Sequence, residues 1–205
     1  MTRTTGSRGD RTLKALQSAG LERLYKHGFA GMTLRELAAD VGIQAGSLYN
    51  HFTNKQDFLF CLMHQVMTDL IDVSKAKLEN TKNPRQALLA FVECHVIFHS
   101  EYRKEVQVST TELRSLTRDN YAKIVAMRDE YEGQLLNILD QGCLGEYWTH
   151  NDPKIVTKLI LGMMTSVGIW YRDDGPVDLN GIVKIYQDMI ENLLLNEIEV
   201  SQLHA

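Results

Sequence analysis

Residues 33–52 constrain the fold of this 205-residue chain more than any other segment. Thr33 and Glu36 have the spacing of a capping box, in which each side chain satisfies a free amide at the start of a helix. Apolar residues then recur along one helix face, and they are Leu34, Leu37, Ala38 and Val41. Gly42 follows this stripe and can turn the chain with a positive φ at no steric cost. The segment therefore predicts a short helix that ends in a tight turn.

A second short helix is predicted after this turn. Leu48 and Phe52 are four residues apart and would be buried together. The residues turned outward are small or hydrogen-bonding: Gly46, Ser47, Asn50 and His51. Such a face suits a helix that lies in the major groove of DNA, where bulk is excluded and donors are needed. The alternative is a pair of helices that merely pack a core, but such helices would not need a tyrosine, a histidine and a lysine aligned on one face.

The first third of the chain resembles the TetR family of bacterial transcriptional regulators. The resemblance rests on Gly28-Phe29, Thr33, Leu37-Ala38, Gly42-Ile43, Gly46-Ser47-Leu48-Tyr49, His51-Phe52 and Lys55. It implies phosphate contacts, which set the register on DNA, by Thr33, Ser47, Tyr49, His51 and Lys55. It implies base reading by Arg35, Gln44, Ala45 and Asn50, with Gly46 on the same DNA-binding face. Many relatives have Ser or Thr where this chain has Gln44, which predicts a weak N-cap for the second helix.

Charge is distributed unevenly along the chain. The whole sequence has 22 basic and 26 acidic residues and a net charge of −4. Residues 1–56 contain eight Lys or Arg and four Asp or Glu, a net charge of +4, which leaves −8 for the remainder. The positive part can approach DNA while the negative part is repelled. A constitutive architectural DNA-binding protein would be expected to be basic throughout, so the pattern favours a regulator.

Helical periodicity without strict strand alternation predicts an all-α fold. We expect an N-terminal helix-turn-helix DNA-binding domain of three helices at 9–69 and a C-terminal helical ligand-binding and dimerisation domain at 70–205. A long helix that begins at Asn54 and continues to about Leu78 would join them. A first helix is predicted from about Asp10 to His27, with Leu13, Leu16, Ala19 and Leu24 turned inward. Further helices are predicted from Pro84 and at 102–116, 118–142, 153–171 and 178–199.

The sequence also favours a cytoplasmic location. The three cysteines, Cys61, Cys94 and Cys143, stand far apart with no CxxC spacing, which indicates free thiols in a reducing compartment. The first dozen residues lack the apolar core of a signal peptide. The longest apolar run is shorter than the roughly 20 residues that span a bilayer, so no membrane partner is expected.

The last two predicted helices have wide apolar faces. Two such faces exceed what one intramolecular contact needs, and a palindromic operator requires a two-fold partner. Gly162 and Gly168 would let another backbone approach closely. The family resemblance implies the same homodimer, and the predicted interface residues are Leu159, Gly162, Met163, Ile182, Tyr186, Met189 and Leu193. The alternative is that both faces are simply core.

An effector cavity is predicted within residues 80–175, because methionine and aromatic walls adapt to apolar ligands. The predicted effector residues are Phe91, His95, Phe98, Tyr102, Met127, Tyr131, Met163 and Trp170; core packing is the competing interpretation. Residues 168–176 resemble the C-terminal signature of a TetR subgroup that often regulates lipid or steroid breakdown in response to acyl-CoA thioesters. The resemblance thus implies an acyl-CoA effector, with a drug or free fatty acid as the rival. The cations available for its phosphates are Arg103, Lys104, Arg114, Arg118 and Arg172.

Other function classes find little support in the sequence. An enzyme needs a placed nucleophile, general base or open metal site, and the chain has no Gly-rich phosphate loop, G-x-S-x-G elbow or suitable carboxylate pair. His95 and His99 have a spacing that can bind zinc, but no H-E-x-x-H accompanies them. We therefore expect no catalytic residue, metal or cofactor. The expected function is a repressor that a small apolar effector releases from its operator; a ligand-independent DNA-binding protein is the weaker alternative.

Overall fold

The computed structural model describes residues 8–149 and 152–195. The helices, in chain order, are α1 (Arg8–Gly31), α2 (Leu34–Asp40), α3 (Ala45–Leu48), α4 (Lys55–Leu78), α5 (Pro84–Glu101), α6 (Arg103–Thr111), a 3₁₀ turn (Leu113–Ser115), α7 (Arg118–Leu144), α8 (Pro153–Thr165), α9 (Val167–Trp170) and α10 (Leu179–Leu195). No strand occurs among the described residues. The predicted all-α fold class is confirmed.

The chain divides into two compact units. The N-terminal unit contains the residues up to Met67 together with Lys104–Val125, and the C-terminal unit contains Thr68–Arg103 and the residues from Ala126 onward. Helices α4 and α7 therefore contribute residues to both units. The predicted domain boundary between residues 69 and 70 stays a prediction; the N-terminal unit additionally holds α6 and the start of α7.

Local signals in residues 33–52 produce the predicted turn between α2 and α3. The Thr33 hydroxyl oxygen accepts a hydrogen bond from the Glu36 amide at 3.2 Å, and the Glu36 carboxylate accepts one from the Thr33 amide at 3.1 Å. Gly42 has φ of 71° after α2. Leu48 and Phe52 are buried, and the Phe52 ring lies edge-on to Phe58 at 4.9 Å. The capping box, the turn and the buried pair all match the sequence prediction.

Helix α3 is shorter than the sequence suggests. It ends at Leu48, so Phe52 lies beyond it on a turn. Gln44 occupies the N-cap without any side-chain hydrogen bond to the helix, as its replacement of the usual Ser or Thr predicted. A four-residue helix with an unsupported N-terminus gains little stability from its own hydrogen bonds. Its position therefore depends on the packing of Leu48 and Phe52.

Helix α1 continues past the predicted end at His27. Gly28 interrupts it with φ of 66° and ψ of 174°, and the chain resumes as a helix to Gly31. An added Cβ at Gly28 would lie 3.0 Å from a carboxylate oxygen of Glu112, so the kink is both conformationally and sterically restricted to glycine. Of the residues predicted to point inward, Leu16 and Leu24 are buried. Leu13 and Ala19 are half-buried.

Helix α5 forms the centre of the C-terminal unit, where α8, α9 and α10 pack against it. Asn83 caps its first turn by accepting a hydrogen bond from the Gln86 amide at 2.9 Å, and Pro84 occupies the first position. Asp152 and Pro153 start α8 in the same way. Both prolines mark helix starts, as predicted.

The helix predicted at 153–171 is divided at Ser166. Its hydroxyl donates to the carbonyl of Met163 at 2.7 Å, α8 ends one residue earlier, and α9 follows. The predicted helix at 102–116 also divides, into α6 and the 3₁₀ turn. The last helix begins at Leu179 and is described to Leu195; the rest of its predicted length lies outside the described residues. Within the described part of the chain, no helix is long and apolar enough to cross a membrane.

Gly168 lies against its own chain. An added Cβ there would be 2.8 Å from the carbonyl oxygen of His99, so the close approach that the sequence predicted is made to α5. Gly162, by contrast, has no heavy atom within 4 Å of an added Cβ. The expected close approach of another backbone is therefore confirmed for Gly168, and that backbone belongs to α5 of the same chain. Glycine spacing alone does not say which backbone approaches.

Gly168→Ala should destabilise the protein, whereas the matched substitution Gly133→Ala should stabilise it. The new methyl at position 168 would meet the His99 carbonyl, and overpacking of this kind costs about 1–3 kcal/mol. Gly133 lies in α7 with open space around its added Cβ, so alanine there should add roughly 0.5–1 kcal/mol by helix propensity. Urea unfolding monitored by circular dichroism measures both. Equal stabilisation at the two positions would contradict the close approach.

Candidate nucleic-acid interface and effector site

The predicted DNA-binding residues form an accessible face of the N-terminal unit. Tyr49 is 56% exposed, although nothing in the core requires an aromatic ring there. Space beyond an added Cβ at Gly46 is open to at least 4 Å. The exposed members are Thr33, Arg35, Gln44, Ala45, Gly46, Ser47, Tyr49 and Asn50; His51 and Lys55 are half-buried. The face can therefore present amide, hydroxyl and guanidinium groups to a duplex.

Thr33 has an intramolecular role besides the predicted phosphate contact. Its hydroxyl donates to the Glu36 carboxylate at 2.7 Å. This hydrogen bond, helped by the charge of Arg23, lowers the pKa of the Glu36 carboxyl. Arg23 also pairs with Asp40 at the end of α2. The cap and the two ion pairs fix α2 against α1, which supports the turn that presents α3.

Lys55 joins the two flanks of the helix-turn-helix. Its ammonium lies 3.4 Å from the carbonyl oxygen of Ala30 and 4.2 Å from the centre of the Phe29 ring. Asn54 caps the same helix by accepting a hydrogen bond from the Asp57 amide at 2.9 Å. Lys55 thus holds the start of α4 to the segment after the Gly28 kink, and its charge also lies at a helix N-terminus, where anions bind.

Three of the predicted effector residues come together in the C-terminal unit. The Phe91 ring stacks on Tyr131 at 5.0 Å, and His95 Nδ1 lies 3.1 Å from the Tyr131 hydroxyl. His95 Nε2 lies 3.1 Å from the Thr165 hydroxyl. The His95 ring stacks on His99 at 3.8 Å. The sequence pointed to His99 only through its spacing from His95, and it gave no signal for Thr165.

The other predicted effector residues are dispersed. Phe98 is buried and its ring lies 4.6 Å from that of the exposed Tyr102. Trp170 is 49% exposed, and its ring lies 6.5 Å from Tyr186. Met127 and Met163 are half-buried. We call the group formed by Phe91, His95, His99, Tyr131 and Thr165 the histidine cluster.

The histidine cluster is neutral. Burial lowers the pKa of His95 well below its usual value and that of His99 to about 4, and burial raises the pKa of Tyr131. His99 Nδ1 donates to the carbonyl of His95 at 2.9 Å. Neutral rings and hydroxyls can bind a carbonyl or hydroxyl group without a charge. Among the described residues, no group of three or more His, Cys, Asp or Glu is placed to hold a metal ion.

Two buried polar atoms of the C-terminal unit lack a hydrogen-bond partner among the described residues. They are the Ser100 hydroxyl oxygen and Nε2 of Gln134. The Gln134 side chain is held on its other side, because Oε1 accepts from the buried Ser74 hydroxyl at 2.7 Å. Burying a polar group without a hydrogen bond is costly, so these two atoms are candidates to bind a polar group of a ligand.

The predicted dimer residues divide between an exposed and a buried face. Leu159 is 61% exposed on α8, and Met189 and Leu193 are 54% and 37% exposed on α10. Gly162 is exposed and Met163 half-buried. Ile182 and Tyr186 are buried within the chain, and the Tyr186 hydroxyl donates to the Met163 carbonyl at 3.2 Å. The exposed apolar stripe of α10 consists of Ile185, Met189 and Leu193.

Comparisons with known proteins agree with this geometry. Residues 16–61 match the bacterial regulatory proteins of the tetR family, and residues 81–194 match the tetracyclin repressor-like C-terminal domain. The HTH-type transcriptional repressor KstR2 of Rhodococcus jostii is 21% identical over 189 residues, which cover 91% of this chain and 92% of that protein. The fatty acid metabolism regulator protein of Bacillus subtilis is 23% identical over 180 residues, covering 85% of this chain and 93% of that protein.

A solved structure shares the fold. The crystal structure of AibR in complex with isovaleryl coenzyme A and operator DNA superposes with a TM-score of 0.77 and 22% identity, covering 90% of this chain and 98% of that chain. The C-terminal match extends over more than half of the sequence, and the N-terminal match includes the helix-turn-helix. This chain is therefore a member of the TetR family of bacterial transcriptional regulators.

Proposed function

We propose that this protein is a cytoplasmic, homodimeric repressor that leaves a pseudo-palindromic operator when an acyl-CoA thioester binds its C-terminal unit. The observation that carries the proposal is the exposed face of α2 and α3, where Arg35, Ser47, Tyr49 and Asn50 stand free of the core. Asn and Arg suit adenine and guanine edges, and hydroxyl groups suit phosphates. The net charge of +4 over residues 1–56 supports the same orientation on DNA.

Lys55→Ala and Asn50→Ala should change DNA binding in different ways. The operator is obtained by selection of duplexes from a random pool with the wild-type protein. Lys55→Ala should weaken binding to all duplexes by a similar factor and flatten the slope of log K against log salt by about 0.9, the contribution of one phosphate contact. Asn50→Ala should relax base preference and leave the slope unchanged.

Lys14→Ala is the matched charge control, because Lys14 is exposed on α1 outside the predicted face. Fluorescence anisotropy at four salt concentrations gives the slopes. An unchanged slope for Lys55→Ala would leave Lys55 only its intramolecular role at Ala30 and Phe29.

The exposed stripes of α8 and α10 support a homodimer. Ile185, Met189 and Leu193 are four residues apart in succession on α10, and Ile155 and Leu159 have the same spacing on α8. On α8 the stripe lies away from the buried side chains, and on α10 it lies beside them. These exposed side chains are therefore not needed for the core of one chain. Apolar patches of this kind mark protein interfaces, and a two-fold partner matches a palindromic operator.

Met189→Arg should produce a folded monomer that binds operator weakly. An unpaired charge in an apolar interface costs several kcal/mol, which corresponds to more than about a hundredfold in the dimer dissociation constant. Asn180→Arg adds the same charge at an exposed polar position of α10 and should remain dimeric. Sedimentation velocity measures the assembly, and a dimeric Met189→Arg protein would place the interface elsewhere.

The C-terminal unit has features that fit a largely apolar effector with a few polar atoms. The histidine cluster places neutral polar groups, hydrogen-bonded to one another, beside aromatic rings. The Ser100 hydroxyl and Gln134 amide are buried without partners among the described residues. Thioester and amide oxygens of an acyl-CoA are neutral acceptors. The AibR structure holds isovaleryl coenzyme A in the same fold, and the Bacillus subtilis relative is named for fatty acid metabolism.

A CoA thioester also needs cations for its phosphates. Arg103 donates to the Tyr171 carbonyl at 2.8 Å and to Asp173 at 3.1 Å, and Lys104 pairs with Glu22. Arg172 is exposed in the connection between α9 and α10, close in sequence to Trp170. Among the candidates in the C-terminal unit, we therefore assign the phosphates to Arg172.

Acyl-CoA thioesters should release the protein from its operator, and Trp170→Ala should abolish this release without loss of DNA affinity. Isovaleryl-CoA and hexadecanoyl-CoA are titrated into the protein–operator complex, with the matching N-acetylcysteamine thioesters, which lack phosphates, as controls. Arg172→Ala should weaken the response to the CoA thioesters alone.

The same titration distinguishes the alternatives. Release by a free fatty acid or a drug-like cation, with no response to any thioester, would make the effector assignment wrong and leave the regulator intact. By linkage, the operator must weaken effector binding by the factor with which the effector weakens operator binding. Operator affinity that no compound changes would favour the ligand-independent DNA-binding protein.

A further inference from the structure

The connection between α6 and α7 is hydrogen-bonded to the start of α4. This connection, residues 112–117, belongs to the N-terminal unit and is called here the α6–α7 segment. Gln56, the second residue of α4, reaches it with both atoms of its side-chain amide. Nε2 donates to the Ser115 carbonyl at 2.5 Å, and Oε1 accepts from the Thr117 amide at 3.0 Å.

The first residue of the α6–α7 segment contacts the other flank of the helix-turn-helix. One carboxylate oxygen of Glu112 lies 3.0 Å from the position of an added Cβ at Gly28, where α1 is kinked. The other oxygen accepts a hydrogen bond from the Ser115 hydroxyl at 2.7 Å. Leu116, which lies in the sequence between Ser115 and Thr117, is buried. The segment is therefore internally tied and packed.

The two residues that the segment contacts lie on either side of the helix-turn-helix in the sequence. Gly28 precedes residues 33–52, Gln56 follows them, and Lys55 connects the two flanks through Ala30 and Phe29. The α6–α7 segment thus contacts both flanks, and none of its own residues is among the predicted DNA contacts. A shift of the segment would displace the flanks that determine how α2 and α3 are held.

Only a carboxamide side chain at position 56 can bind both the Ser115 carbonyl and the Thr117 amide. A carboxamide offers a donor and an acceptor on one planar group, which matches a carbonyl and an amide two residues apart. A carboxylate could accept from Thr117 but would face the Ser115 carbonyl with a second acceptor. An ammonium or guanidinium group could serve Ser115 only. Glutamine is the long side chain that satisfies both groups.

We propose that Gln56 is a positioning residue that transmits the position of the α6–α7 segment to the helix-turn-helix and thereby determines operator affinity. The proposal rests on the proposed function as a DNA-binding repressor. Helix α7 continues from the segment to Tyr131 of the histidine cluster.

A double-mutant cycle tests the proposal without an effector. Operator affinity is measured for the full-length wild type, Gln56→Ala, Glu112→Ala and the double variant, on a duplex selected from a random pool. Each single substitution should weaken operator binding by about fivefold, which corresponds to about one net hydrogen bond. The double variant should bind operator no more weakly than the single variant with the lower affinity. Gln56→Glu, which keeps the bond from Thr117, should be intermediate.

Gln107→Ala removes an exposed glutamine side chain from α6 and should leave operator affinity unchanged. Hydrogen exchange of the free protein gives a readout that needs neither DNA nor effector. Gln56→Ala should accelerate exchange of amides in residues 30–32 and 47–52, with circular dichroism unchanged. Wild-type exchange there would overturn the proposal, as would wild-type operator affinity or fold-changes that simply multiply.

Failure of the proposed function is recognised separately. If no duplex is selected from the pool, the DNA-binding proposal fails. The hydrogen-exchange experiment still decides whether Gln56 is a positioning residue for the helix-turn-helix. If no thioester acts on the wild type, only the effector assignment fails, because the cycle contains no thioester.

Discussion

The burial of Leu48 and Phe52 holds the DNA-binding face in place. Helix α3 has four residues and no side-chain cap, so it cannot persist by its own hydrogen bonds. Leu48 is fully buried and Phe52 packs edge-on against Phe58 of α4. Everything that fixes α4 therefore also fixes α3. This dependence makes the start of α4, with Lys55 and Gln56, a point of control for the whole face.

The C-terminal unit combines a well-packed core with polar groups that are costly to bury. His95 and His99 must be neutral there, and the hydroxyls of Tyr131 and Thr165 satisfy the His95 ring. The Ser100 hydroxyl and the Gln134 amide remain unmatched among the described residues. A ligand that supplies acceptors would recover part of this cost, and that differential interaction is what any ligand-driven shift between two states requires.

Local chemistry decided what could be predicted. The capping box at Thr33, the turn at Gly42 and the helix starts at Pro84 and Pro153 depend on residues within one turn of each other, and the structure has all of them. The apolar face of helix α10 is wide and contains both buried and exposed residues. Periodicity identified these apolar residues but did not show which of them the chain itself covers. In the structure Tyr186 is buried and Ile185 is exposed.

Long-range partners were not visible in the sequence. The Gly28 kink lies beside Glu112, 84 residues away in the numbering, and Gly168 lies against the His99 carbonyl. Thr165 joins the histidine cluster only through the packing of α8 on α5. In each case the residue type allows many partners, and tertiary packing selects one. The predicted roles of individual DNA, effector and dimer residues remain predictions for the same reason.

A dimer that binds two operator half-sites requires rigidity within each N-terminal unit. Half-sites one helical turn apart demand a separation of about 34–36 Å between recognition helices, so a displacement of a few ångströms is enough to lose the second half-site. If the segments that flank α2 and α3 were flexible, the DNA-binding face could follow its half-site after any displacement. An effector would then not change operator affinity. The contacts of Lys55, Gln56 and Glu112 oppose such adaptation. They therefore make operator affinity sensitive to movements of α4 and α7 that leave the DNA-binding residues themselves unchanged.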